Sequence, residues 1–308
     1  MSTHSSDPCP ADGSTPETPT PRVALIIPHY NDTDRLVTCL TALLPQKHPD
    51  VELVVVDNGS TQDLTPAQDL LAQYGPEARL VVEDGKGAAL ARNRGVAETR
   101  APHLLFLDAD CVPDADWLKT ACALAGADQV IGGRIDVFDE TPPPRSGAEA
   151  FETVFAFHQQ TYIAQNGFSV TANLLTTRAV FSRTGPFINA LSEDLDWCHR
   201  AVATGAPLTY EQDLRVLHPT RQDWPALRKK WVRITKESFA TYGTTPRARL
   251  GWAIRAVTVL GSGVVFIPKV LRHEALSGVE KGRAVGTLLR LRSLRAYWML
   301  GQAIRGAV

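Results

Sequence analysis

Residues 103–110, His-Leu-Leu-Phe-Leu-Asp-Ala-Asp, join a largely apolar run to two carboxylates that are one residue apart. The run 103–107 predicts a buried β-strand, because it is short, apolar and bounded by polar residues. Asp108 and Asp110 follow where this strand ends. Two carboxylates so spaced can share a divalent cation whose other ligands are phosphate oxygens and water. Solvated turns and helix N-caps contain the same tripeptide, so its surroundings decide the interpretation.

Strands and helices alternate in the residues before this stretch. The predicted strands are 22–28, 51–57, 79–83 and 103–107, and the predicted helices between them are 34–44, 65–74 and 87–99. This order predicts an α/β fold with a mainly parallel sheet flanked by helices. Ligands of such sheets bind beyond the carboxyl ends of the strands. We therefore expect the polar clusters 28–31, 57–60 and 108–110 to meet in one cleft.

The residues that follow predict a less regular second half. Predicted helices cover 117–125, 149–164 and 192–204, and predicted strands cover 130–135 and 168–176. Val216-Leu217-His218-Pro219 places a histidine at the end of another strand. We see no internal repeat with a period of twenty to fifty residues.

The N-terminal residues 1–21 are rich in Ser, Thr, Pro, Asp and Gly and lack the basic and apolar regions of a signal peptide. They predict a flexible tail and a cytoplasmic protein. The five cysteines are scattered and lack C-x-x-C spacing, so we expect reduced thiols without a disulfide framework or a structural zinc site. Cys111, beside the carboxylate pair, is expected to pack in the core.

Charge divides the chain into two unequal parts. Residues 221–308 contain 17 Lys and Arg against four Asp and Glu, although the whole chain has a net charge of -1. Such a basic region suits anionic lipid, a phosphate-bearing acceptor or nucleic acid. It forms the predicted basic helical extension.

Two segments of this extension have sequence patterns that can indicate contact with a membrane. Residues 256–267 are apolar and uncharged for twelve residues between Arg255 and Pro268, whereas a spanning helix needs about 20. We therefore expect a re-entrant or interfacial segment and not a spanning helix. Residues 283–307 interleave arginines with leucines as in-plane amphipathic helices do. The alternative is that these helices pack on the α/β domain.

Five motifs occur in an order that resembles family 2 inverting glycosyltransferases with the GT-A fold. They are Pro28-His29-Tyr30-Asn31, Asp57-Asn58-Gly59-Ser60, Gly87-x-x-x-Ala91-Arg92-Asn93-x-Gly95, Asp108-Ala109-Asp110 and Ser192-Glu193-Asp194-x-Asp196-Trp197. The resemblance covers roughly residues 22–219. It implies a catalytic domain at 22–220, with a nucleotide-binding half at 22–110 and an acceptor half at 111–220, followed by the extension 221–308.

The resemblance also implies roles for individual residues. Asp110 would coordinate Mn²⁺ or Mg²⁺, and His218 is a second candidate ligand whose alternative is a hydrogen-bonded cleft histidine. Asp194 would be the general base, and Glu193 would orient the base or the acceptor. The implied nucleotide-binding residues are Pro28, Tyr30, Asn31, Asp57, Lys86, Arg92, Asn93 and Asp108.

These roles favour a UDP-sugar, since Asp57 can accept the imide N–H of uracil or thymine. The segment Arg228-Lys229-Lys230-Trp231 lacks the arginine that precedes tryptophan in processive members. We therefore expect transfer of a single sugar to a glycan or lipid-linked acceptor, in cell-surface glycan or glycolipid assembly at the inner face of the membrane. Nucleic acid is not an expected partner.

Two other functions compete with this interpretation. A nucleotidyltransferase would carry a Gly-rich phosphate loop near its first strand, and residues 28–31 are not one. A degenerate adaptor could bind membranes or anionic partners through the basic C-terminal region. Its scaffold would not need Asp57, Asp110 and Asp194 intact.

Overall fold

The computed structural model describes residues 21–189 and 192–306. The predicted flexible tail, residues 1–21, lies outside the described residues except for Pro21. Cysteines 39, 111, 122 and 198 are buried free thiols. Cys9 lies outside the described residues.

The first half has the predicted alternation of strands and helices, with boundaries within one residue of those expected. Its elements are β1 (Val23–His29), α1 (Thr33–Leu43), β2 (Val51–Asp57), α2 (Thr65–Tyr74), β3 (Ala78–Val82), α3 (Ala88–Glu98) and β4 (His103–Leu107). A single turn of 3-10 helix, Leu44–Gln46, follows α1. The strands β1, β2, β3 and β4 pair in parallel.

The second half departs further from the expected boundaries. Its elements are β5 (Val112–Pro113), α4 (Trp117–Leu124), β6 (Val130–Phe138), α5 (Gly147–Phe155), α6 (Gln159–Asn166), β7 (Asn173–Thr177), α7 (Arg178–Thr184), α8 (Glu193–Ala203) and β8 (Leu208–Pro219). The predicted helix 149–164 is two helices, interrupted at Phe157, whose φ is 51°. The predicted strand 168–176 is wrong in its first part, because β7 begins only at Asn173.

The eight described strands form one mixed sheet in the order β3-β2-β1-β4-β7-β6-β8-β5. Strand β7 runs antiparallel to both β4 and β6, while β6 and β8 are parallel. Helices cover both faces of this sheet. On β1, Leu25 joins the core beneath α1 and α2, and its neighbour Ile26 joins the core beneath α3 and α8. Burial on both faces explains why the central strands are apolar throughout.

Four helices make up the C-terminal region: α9 (Trp224–Tyr242), α10 (Pro246–Val265), α11 (Ile267–Leu271) and α12 (Gly278–Arg305). Leu288 and Leu291 of α12 are buried in a cluster with Phe151 of α5. The guanidinium of Arg295 lies 4.7 Å from the ring centroid of Trp231. Residues 283–307 were expected either to lie in a membrane surface or to pack on the domain. The inner face of α12 packs on the domain.

The apolar helix α10 is longer than the sequence predicted. We expected the apolar segment to begin after Arg255 and to have only twelve residues. This expectation is wrong, because the helix begins at Pro246 and continues through Arg255. The helical stretch Pro246–Leu271 has 26 residues and a mean hydropathy of 1.8 in its most apolar window, of which 17% is buried. By length and composition alone, this stretch could cross a membrane.

Candidate active site

A cleft of about 500 Å³ opens at the carboxyl ends of β1, β2 and β4, where the three polar clusters meet as expected. Five of the predicted nucleotide-binding residues line it: Pro28, Tyr30, Lys86, Arg92 and Asp108. The ring of Tyr30 is 60% exposed and gives the cleft an aromatic wall. Asp110 of the carboxylate pair also lines the cleft, so the nucleotide and metal predictions concern one site.

Asp57 lies just behind this wall and is almost fully buried. It accepts hydrogen bonds from Nδ1 of His29 at 3.0 Å and from the backbone N–H of Ser60 at 2.9 Å. Burial alone would raise the pKa of Asp57, but the bonds from Ser60 and His29 lower it overall. The carboxylate thereby fixes His29, which lines the cleft. A direct contact between Asp57 and a base stays a prediction.

Two predicted nucleotide-binding asparagines hold loops in place. The side-chain oxygen of Asn31 accepts the backbone N–H of Thr61 at 2.8 Å. The amide of Asn93 both donates to and accepts from the backbone of Phe187, at 2.9 Å each. Neither asparagine is among the residues that line the cleft. Their contacts therefore differ from the expected contact with a nucleotide.

Asn58 is a cleft residue to which the sequence analysis gave no role. Its side-chain oxygen accepts the backbone N–H of Gly87 at 2.7 Å, and its amide donates to the carbonyl of Glu83 at 3.1 Å. These bonds hold the loop that carries Lys86 against the end of β2. The Asp-Asn-Gly-Ser motif marked the position in the sequence, but the partner atoms lie about 25 to 29 residues away.

Arg92 joins the two acidic motifs. Its Nη2 donates to Oδ1 of Asp108 at 2.7 Å, and its Nη1 donates to Oε1 of Glu193 at 3.2 Å. The side chain is only 5% exposed. We expected Arg92 to offset phosphate charge, whereas here two carboxylates already pair with its guanidinium. It therefore links the end of β4 to the start of α8.

Asp194 lies beside this ion-pair network and accepts a hydrogen bond from the hydroxyl of Thr171 at 2.6 Å. Burial raises the pKa of Asp194 to about 6, even though the charge of Arg92 and the Thr171 hydroxyl act in the opposite direction. A carboxylate with this pKa is largely ionised at neutral pH and can still accept a proton readily. The sequence analysis missed Thr171.

Asp110 and His218 form the predicted metal pair. Their Oδ2 and Nε2 atoms are 3.3 Å apart. Nδ1 of His218 lies 2.7 Å from the carbonyl oxygen of Pro219 and donates to it, which leaves Nε2 as a lone-pair acceptor. Burial lowers the pKa of His218 to about 3, so the ring is neutral. Burial also raises the pKa of Asp110, although the charges of Arg221 and Arg35 act in the opposite direction.

These two acceptors fit a divalent cation. A neutral imidazole nitrogen and a carboxylate oxygen are both manganese ligands, and a cation bound to both would offset the negative charge of the carboxylate. Within residues 21–189 and 192–306, no group of three or more His, Cys, Asp or Glu side chains is arranged to hold a metal ion by itself. The remaining ligands would therefore be phosphate oxygens and water, as is usual where a metal serves a nucleotide.

Comparison with known proteins identifies the family. A family model described as Glycosyl transferase family 2 matches residues 24–185. The chain belongs to glycosyl transferase family 2. This family 2 chain is 31% identical over 288 residues to the glycosyltransferase AglE of Haloferax volcanii, covering 90% of this chain and 92% of AglE. It is 33% identical over 91 residues to the uncharacterized glycosyltransferase YibD of Escherichia coli, covering 30% and 26% of the two chains.

Solved structures confirm the GT-A fold for this family 2 member. One is the mannosyltransferase PcManGT from Pyrobaculum calidifontis in complex with GDP-Man and Mn²⁺, with a TM-score of 0.55 and 16% identity over 93% of this chain and 74% of PcManGT. Another is S. aureus TarS 1-349 in complex with UDP-GlcNAc, with a TM-score of 0.51 and 15% identity over 93% of this chain and 82% of that chain.

Proposed function

We propose that this family 2 glycosyltransferase moves one sugar from a nucleotide-diphosphate sugar to an acceptor hydroxyl with inversion at the anomeric carbon. The observation that carries the proposal is the bridge made by Arg92 between Asp108 and Glu193. It ties the carboxylate motif of the nucleotide cleft to the acidic start of α8. Asp194 thus lies next to the cleft in which the donor would bind.

In this proposal Asp194 takes the proton from the acceptor hydroxyl as the hydroxyl oxygen attacks the anomeric carbon. Attack from the face opposite the diphosphate inverts the configuration and requires one base, without a covalent sugar–enzyme intermediate. Thr171 holds one oxygen of Asp194 and orients the carboxylate. Glu193, paired with Arg92, positions the start of α8.

Asp110 and His218 would hold a divalent cation, with Mn²⁺ or Mg²⁺ as the candidates. When bound, the cation would neutralise negative charge on the departing diphosphate. Asp108 accepts a hydrogen bond from Arg92 at the end of β4 and lines the cleft in which the nucleotide would bind. Lys86 supplies a cation at the same cleft.

For the donor we favour a UDP-sugar, because the carboxylate of Asp57 has acceptor sites for the imide N–H of uracil in addition to its bonds from His29 and Ser60. Structures of similar fold have been solved in complex with UDP-GlcNAc and with GDP-Man, so a guanine nucleotide is the main competitor. We propose a glycan or lipid-linked acceptor at the inner face of the cell membrane, on the basic C-terminal region. A single transfer fits the Lys-Lys-Trp sequence at residues 229–231.

Calorimetric titration of UDP, dTDP and GDP, with and without Mn²⁺, tests the donor class and the metal together. One diphosphate should bind at least about tenfold more tightly with Mn²⁺, and Asp110→Asn should abolish that gain. Asp116→Asn is the matched control, because Asp116 is 81% exposed on the neighbouring loop. Failure of all three nucleotides under both conditions would contradict the proposal and favour the adaptor interpretation.

A further inference from the structure

Helix α10 has an apolar outer face that no described residue covers. Four side chains on this face are more than 60% exposed: Leu250, Ile254, Val257 and Val264. Their spacing of three, four and seven residues places them on one side of the helix. Soluble monomers rarely expose so continuous an apolar strip, and such strips usually contact a partner or a membrane.

The opposite face of α10 is already occupied. Trp252 is 1% exposed and donates from its indole nitrogen to Gln302 of α12 at 3.1 Å. Added atoms at Gly263 would meet Leu289 and Arg292 of α12 at 3.4 to 3.5 Å. Because α12 is anchored on α5, α10 is held along the surface of the protein. Only its outer face is available, which fits contact with a membrane surface better than a crossing helix.

Basic residues are frequent in and beside α10, and two of them face the protein: Arg249 donates to the carbonyl of Ala303 on α12, and Nζ of Lys269 lies 2.9 Å from Nε2 of His158. Residues 243–273 contain no Asp or Glu and five cations, which are Arg247, Arg249, Arg255, Lys269 and Arg272. A cleft of about 470 Å³ adjoins the face and is lined by both Ile254 and Arg255. In the described part of the chain, Arg255 makes no ion pair with a carboxylate.

We propose that the outer face of α10 lies in the headgroup region of an anionic membrane, with its apolar side chains at the acyl boundary and Arg255 among the lipid phosphates. This deepens the membrane association proposed above by assigning it to α10 and not to the predicted segment 283–307. A second copy of the chain fits less well. In a symmetric pair the same surface meets itself, so one basic region without Asp or Glu would meet a second such region.

Vesicle sedimentation with the full chain tests this contact. Wild type should bind vesicles of phosphatidylcholine mixed with phosphatidylglycerol more tightly than phosphatidylcholine alone. The double variant Val257→Asp/Val264→Asp should reduce binding by at least about tenfold, because it places two charges at the acyl boundary. Arg255→Ala should reduce binding to the mixed vesicles by about fivefold, and should leave binding to neutral vesicles unchanged.

Val202→Asp is the matched control, because Val202 of α8 is an exposed valine, at 44%, outside the outer face. It should bind vesicles as wild type does, and thermal unfolding should show that all variants are folded. Equal losses for Val202→Asp and the double variant would overturn the assignment to α10. The proposal would also be overturned if the wild-type protein bound neither kind of vesicle but formed a dimer that the double variant abolished.

Nucleotide titration in the absence of lipid separates this proposal from the transferase proposal. The double variant should bind the donor diphosphate as wild type does, because the outer face lies outside the cleft. Loss of vesicle binding with intact nucleotide binding supports α10 as the membrane contact. Wild type that binds nucleotide but no vesicle overturns the membrane contact and leaves the transferase proposal standing.

Discussion

Thr171 and Asp194 show how one hydrogen bond can set the working range of a base. Thr171 is fully buried and its only described carboxylate partner is Asp194, at 2.6 Å. Burial pushes the pKa of Asp194 upward, the charge of Arg92 pushes it down, Glu193 raises it and the Thr171 hydroxyl lowers it. A hydroxyl donor favours the ionised carboxylate, which is the form that can accept a proton.

We expect kcat/KM to fall as pH drops below about 6, because Asp194 becomes protonated. Thr171→Val removes the donor to the carboxylate, so it should raise the pKa of Asp194 further and move the acid limb to higher pH. Thr171→Ser keeps the hydroxyl and should leave the limb near its wild-type position. The measurement is kcat/KM against pH for the three proteins.

The variant Asp194→Asn provides the reference for these profiles. It should lower kcat by about 100- to 10,000-fold across the pH range, which is the usual contribution of a positioned base. Wild-type activity in Asp194→Asn would show that another group accepts the proton. If the valine and serine variants of Thr171 shifted the limb equally, the packing of the threonine and not its hydrogen bond would set the pKa.

The residues of the cleft were predictable to different degrees. Asp108 directly follows strand β4, and Lys86 lies in the loop after β3. Both could be predicted as cleft residues because apolar runs in the sequence locate the ends of strands. The partners of Arg92 were not predictable, since Glu193 is 101 residues away and only tertiary packing brings it within 3.2 Å. Thr171 was missed because its bond to Asp194 on α8 also depends on tertiary packing, which no local sequence pattern indicates. The sequence analysis had in addition assigned residues 168–172 to a strand.

At the scale of single elements, the space around a helical glycine shows how closely that helix packs against its neighbours. A Cβ atom at Gly95 of α3 would lie 2.4 Å from Cγ2 of Ile26 on β1 and 3.3 Å from Cγ2 of Val56 on β2. A Cβ at Gly286 of α12 would meet nothing within 4 Å. Both are helical glycines, but only Gly95 is needed for close packing.

The two glycines should therefore respond oppositely to alanine. Gly286→Ala should stabilise the protein by roughly 0.5 to 1 kcal/mol, because alanine restricts the unfolded chain and favours the helix. Gly95→Ala should destabilise it by about 1 to 3 kcal/mol, since the clash with Ile26 outweighs the same gain. Denaturant unfolding of both variants checks this. Stabilisation by Gly95→Ala would show that α3 can move away from the sheet at little cost.

Element boundaries were predictable where the chain itself signals them. Strand β2 was placed correctly because it is an apolar run that ends in Asp-Asn-Gly-Ser. The break between α5 and α6 carries no glycine or proline. Phe157 adopts its φ of 51° there while its ring packs on His218, with ring centroids 4.6 Å apart. A contact with β8 accompanies this break, so local sequence patterns could not locate it.

At the scale of the whole molecule, one apolar cluster crosses the predicted boundary at residue 220. Phe151 of α5 packs with Leu227 of α9 and with Leu288 and Leu291 of α12, and all four are at most 1% exposed. Glu152, also on α5, forms a 2.6 Å ion pair with Lys230 of α9. We infer that helices α9, α11 and α12 contribute to the core around α5, so that the C-terminal helices are not a detachable extension.

Calorimetry should accordingly show one cooperative unfolding transition for the full chain, and a chain ended at residue 220 should unfold at a lower temperature or aggregate. Leu288→Asp buries an unpaired charge in the shared cluster and should cost more than about 3 kcal/mol. Val279 of the same helix is 63% exposed, so Val279→Asp should change stability by less than about 1 kcal/mol. Two transitions, with only one moved by Leu288→Asp, would show instead that the C-terminal helices fold independently.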